Sequence, residues 1–166
     1  MFVGRSGRAI GQFAGGALLF AAVSAFTPTA AHAPAVPSVR VAVVRAAEST
    51  DKRIVLFVRV DGTGLVLGSY QGHLHFDPAA FVVDSAVAGK DGSRYVNPAD
   101  APKGAIRFAG FTTSGFTSSD AVRIVGRSLK PLAAAKITAE LEVAGDLDGK
   151  AVAKASLVSA TSVTDK

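Results

Sequence analysis

From Val39 onward the chain alternates apolar and polar positions with a period of two. Val39, Val41 and Val43 alternate with Ser38, Arg40 and Ala42, the pattern of a strand with one buried face. Residues 48–52 are polar and turn the chain. Residues 54–60 (IVLFVRV) are β-branched and aromatic and predict a core strand, and residues 61–64 (DGTG) a turn. A third strand is expected over 66–76, closed by Asp77-Pro78, and a fourth over 81–87. Residues 89–104 are polar, contain Pro98 and Pro102, and predict a loop. A strand over 105–111 leads into a Thr/Ser/Gly loop reaching Ser119. A strand over 121–129 then stops at Pro131. Residues 137–144 and 151–158 flank Asp146-Leu147-Asp148-Gly149 and predict a terminal β-hairpin. Residues 133–143 (AAAKITAELEV) have a helical composition, yet Ile137, Ala139, Leu141 and Val143 alternate with Thr138, Glu140 and Glu142, which predicts strand. About eight to nine short strands without a useful helix predict an all-β, antiparallel, jelly-roll-like β-sandwich.

Before that pattern begins, the chain is of another kind. Arg5 and Arg8 form a positive start, residues 13–26 (FAGGALLFAAVSAF) an apolar run, and residues 27–33 a small-residue stretch ending in Ala31-His32-Ala33. This is the layout of a secretory signal peptide, too short in its apolar part to span a bilayer comfortably. The expected organisation is therefore a signal peptide over 1–33 and one domain over 34–166, with the mature chain secreted, periplasmic or extracellular and free of a membrane span.

Composition narrows the chemistry. Hydrophobic residues make up 49% of the chain, enough for a packed core, and cysteine is absent, which removes disulfides and thiolate metal sites. Arg5 and Arg8 account for two of the five net positive charges, and the remaining basic residues are interspersed with acids, so nucleic acid is not an expected partner. Neither G-x-S-x-G nor H-E-x-x-H occurs, and the domain has only His73 and His75, so no enzyme is expected. Those two histidines are i and i+2 on one strand face, opposite Tyr70, Leu74 and Phe76. Such a pair chelates zinc or copper when a carboxylate supplies a third ligand. A polar, partner-facing strand is the simpler reading, and no metal or other cofactor is expected. Asp146-Leu147-Asp148-Gly149 lacks the spacing of a calcium loop and reads as a turn. Tryptophan is absent and Tyr70 is expected inward, which argues against a flat aromatic row for stacking on polysaccharide.

One segment is more specific. Residues 68–89 (GSYQGHLHFDPAAFVVDSAVAG) carry a strand ending in a large aromatic, then Asp77-Pro78, a small and a bulky apolar residue, and a second strand with Asp84 before a glycine-closed turn. This segment, followed by the glycine-led alternation of residues 104–109 (GAIRFA), resembles cohesin domains and the related sandwich of cellulose-binding modules. The resemblance implies a non-catalytic recognition module that binds a dockerin-like or other extracellular protein module. Polysaccharide binding is the alternative. It also implies a binding face on the strands matching 68–76 and 105–111, and so places Gln71, His73, His75, Arg107 and Phe111 on that face.

Overall fold

The computed structural model describes residues 36–90, 93–160 and 163–165, and the expected export segment lies outside the described residues. Two β-sheets pack face to face. The larger holds β1 (Ser38–Arg45), β2 (Ile54–Thr63), β7 (Ser118–Ser128) and β4 (Phe81–Ala88) side by side, with the short β9 (Leu157–Val158) and β10 (Val163–Asp165) both pairing β1 in parallel. The smaller is fully antiparallel, in the order β5 (Ser93–Asn97), β6 (Ala105–Phe116), β3 (Leu67–His75), β8 (Thr138–Asp146). Consecutive strands repeatedly change sheet, the jelly-roll-like crossing expected of the sequence. Among the described residues no helix is long and apolar enough to cross a membrane.

The alternation puts one face of each strand into a shared core. Val39, Val41, Val43, Leu56, Val58 and Val60 from the larger sheet meet Tyr70, Leu74, Ile106 and Phe108 from the smaller. Burial of such side chains stabilises the fold by about 1.5–3 kcal/mol each relative to exposure. The Asp77-Pro78 corner performs as its chemistry predicts. The Asp77 carboxylate accepts the Ala79 backbone N–H at 2.9 Å. On either side Phe76 and Phe81 enter the core, their rings edge-on at 5.7 Å.

Several expectations change. Residues 61–63 are strand: β2 runs on through Asp61, whose partner is Ser118, and the chain turns at Gly64, where φ is +68°. The polar stretch 89–104 contains β5 and a short 3₁₀ turn, Ala101–Lys103. The Thr/Ser/Gly segment after Phe111 belongs to β6, which runs to Phe116; the ladder with β3 slips here, Phe111 facing Ser69 and Phe116 facing Leu67, so residues 112–115 form an irregularity within the strand. The terminal hairpin is a stub. Asp146 closes its turn by accepting the backbone N–H groups of Asp148 and Lys150, and Gly145 bridges Ala151. The chain then leaves β8 for β1. Ala160 returns to exchange two backbone hydrogen bonds with Ala139, so the tail covers an edge of each sheet. The described strands therefore number ten.

Candidate functional site

The outer face of the smaller sheet collects the candidate residues. β3 and β6 are neighbours, and their register sets His73 opposite Arg107, Gln71 opposite Ala109 and Ser69 opposite Phe111. Strand parity turns Tyr70, Gly72 and Leu74 inward, which leaves Gln71, His73 and His75 outward beside Arg107 and Phe111. The five residues singled out from the sequence thus share one face.

Two flanking strands add what the sequence pattern did not mark. From β5, Tyr95 stands opposite Ala109, next to Phe111 on the diagonal. These rings are 63% and 62% exposed and border a shallow groove floored by Gly110 and Ala109. From β8 come Glu140, Glu142 and Val143. Here the pairing slips: Gln71 faces Val143 while the next residue, Gly72, faces Leu141, so Glu142 is the extra residue of a β-bulge. Val143, inward by simple alternation, is consequently exposed. The bulge also aims Glu142 across β3. Its carboxylate accepts a hydrogen bond from Gln71 Nε2 at 2.6 Å and lies 3.2 Å from His73 Nδ1. Glu140 approaches His75, Oε1 to Nε2 3.5 Å. The imidazoles of His73 and His75 are 5.8 Å apart and tilted by 35°. Gly72 makes the close approach of β8 possible, since a Cβ there would stand 2.2 Å from the Glu140 carbonyl oxygen.

The β5–β6 side of the face is anchored from beneath. Arg94, beside Tyr95 on β5, points between the sheets and donates to Ser119 on β7. Tyr70 lies edge-on to Phe116 at 5.6 Å, and Gly110 leaves room for its ring. Burial pushes the Tyr70 hydroxyl above the ordinary tyrosine range, while Arg94 and Ser119 pull it the other way. What faces solvent is a surface with exposed apolar side chains at Tyr95, Phe111 and Val143 and polar groups at Gln71, His73, His75, Glu140, Glu142 and Arg107. Polar groups of neighbouring strands pair across this exposed face, a geometry suited to contact with another surface.

No protein-family model matches the sequence, and no curated protein matches it. The fold has relatives among solved structures. A chain of a type I cohesin–dockerin complex from Clostridium thermocellum aligns with TM-score 0.52 and 16% identity, covering 78% of this chain and 99% of that one. A type II cohesin domain from the cellulosome of Acetivibrio cellulolyticus aligns with TM-score 0.51 and 12% identity, covering 77% and 93%. The seventh ScaB type I cohesin of Pseudobacteroides cellulosolvens aligns with TM-score 0.50 and 12% identity, covering 78% and 88%. The domain is therefore cohesin-like in fold.

Proposed function

We propose that this protein is an exported, non-catalytic recognition module that captures a partner protein module on the outer face of the smaller sheet. One observation carries the reading: Tyr95 and Phe111 stand largely exposed beside a cross-paired set of polar and charged side chains on one face of the smaller sheet. Exposed aromatics next to arginine are the residue types that dominate protein-protein hot spots. The comparison supports the partner class, since one of the similar structures is a cohesin–dockerin complex. A dockerin-like module is accordingly the first partner to test. The export reading rests on Arg5, Arg8 and the apolar run after them.

The same two aromatics favour a second reading, stacking on a polysaccharide chain. The test treats both. Calorimetric titration of the protein with dockerin-like modules encoded in its own genome, and separately with soluble oligosaccharides, should give saturable binding to a module and none to the sugars. Sugar binding abolished by Tyr95→Ala would replace the first reading with the second. Binding of neither would remove both.

A further inference from the structure

We propose that His73, His75 and Glu140 form a binding site for a divalent transition ion of the zinc or copper class. One ring nitrogen of each histidine and one carboxylate oxygen of Glu140 lie within 4.8 Å of one another. The arrangement follows from the strands. His73 and His75 are i and i+2 on β3, so both rings rise from one face. Glu140 stands directly opposite His73 on β8, and its side chain leans diagonally to His75.

A tetrahedral zinc ion with bonds of about 2.0–2.1 Å separates its ligand atoms by about 3.3 Å. Closing from 4.8 Å takes small side-chain rotations. His75 and Glu140 are about half exposed and free to make them, and His73, 15% exposed, provides the fixed point. Glu142 completes the logic: it sits 3.2 Å from His73 Nδ1. A metal-bound histidine commonly donates its second ring N–H to a carboxylate, which fixes ring and tautomer and strengthens the ligand. The bulge that turns Glu142 across β3 therefore supplies the outer partner of such a ligand.

The local charge agrees. Glu140 and Glu142 flank the imidazoles on one side, and Arg107 is the single cation opposite His73 in the β6 register, so the site carries a net negative balance toward a cation. Two nitrogens and one oxygen select zinc or copper over calcium or magnesium, which require oxygen-rich shells. Three protein ligands leave at least one coordination position for water or for a side chain of a bound molecule. The proposal stands whether or not the face captures a protein module.

The test is calorimetric titration of the untagged, chelator-stripped full chain with Zn²⁺, and in a second series with Cu²⁺. One equivalent of saturable binding is expected, undisturbed by excess Ca²⁺. His75→Ala and Glu140→Gln should abolish it, and Glu142→Gln should weaken it by about 10–100-fold, the usual effect of losing an outer-shell partner. Circular dichroism and thermal unfolding without metal should show each variant folded. If His73→Ala disturbs the fold, the more exposed His75 and Glu140 still decide the matter. Absence of saturable binding, or binding by the His75→Ala and Glu140→Gln variants equal to that of the parent, would overturn the proposal.

Discussion

Tyr95 and Phe111 sit diagonally across the β5–β6 ladder, with Tyr95 paired to Ala109 and Phe111 paired to Ser93, and both project from the same side of the sheet. Neither side chain belongs to the core. Replacing both by alanine should therefore leave stability within about 1 kcal/mol, the usual range for surface changes. The same double change should weaken partner capture at least tenfold, since truncated hot-spot aromatics cost about 2 kcal/mol or more. Thermal unfolding and a binding isotherm on one preparation check both halves.

The opposite face of β3 predicts the opposite outcome. Leu74 is fully buried between His73 and His75. Leu74→Ala should cost about 2–5 kcal/mol by opening a cavity in the core. Gln71→Ala, two residues from His73 on the outer face, should cost less than about 1 kcal/mol even though it removes an exposed hydrogen bond to Glu142. Denaturant unfolding of the two variants should separate them clearly.

Gly72 tests the bulge. A methyl group there would meet the Glu140 carbonyl oxygen at 2.2 Å and the Phe108 ring at 2.8 Å. Gly72→Ala should destabilise by about 1–3 kcal/mol or more through overpacking. It should also displace β8, visible as altered amide shifts at Glu140 and Glu142. An unperturbed β8 would contradict the register described.

What the sequence made legible, and what it left dark, has a physical pattern. The parity of Gln71, His73, His75, Arg107 and Phe111 was readable because β3 and β6 keep unbroken alternation over those positions. Tyr95 was lost in an apparent loop, because a five-residue strand between prolines and charges shows too few periods to detect. Val143 departs from the alternation for another reason. Its exposure depends on a bulge created by pairing with β3, and no local pattern in residues 137–144 announces it. The tail departs from a full hairpin for a related reason: residues 157–158 pair with β1, far off in the chain, while pairing with the preceding strand β8 is reduced to the Gly145–Ala151 and Ala139–Ala160 bridges.

Tyr70 gives a pH signature. Its hydroxyl is held above the ordinary tyrosine range chiefly by burial. The folded state thus binds this proton more tightly than the unfolded chain does. The corresponding stability is fully present below about pH 10, where an unfolded tyrosine titrates, and is lost as pH rises through the folded value. Tyr70→Phe should flatten this alkaline decline while changing stability at neutral pH by no more than about 1.5 kcal/mol. Unfolding curves between pH 8 and about 11 would show it, spanning the ordinary tyrosine value. An equal decline in parent and variant would assign the alkaline sensitivity to other groups.

The most direct measurement on the central claim is hydrogen–deuterium exchange of the protein alone and saturated with the partner module it binds. Capture on the outer face of the smaller sheet predicts added protection along β3, β5, β6 and β8, strongest around residues 71–75, 93–97 and 107–111, with the β1–β2–β7–β4 sheet unchanged. Protection confined to that larger sheet would contradict the assignment of the recognition face.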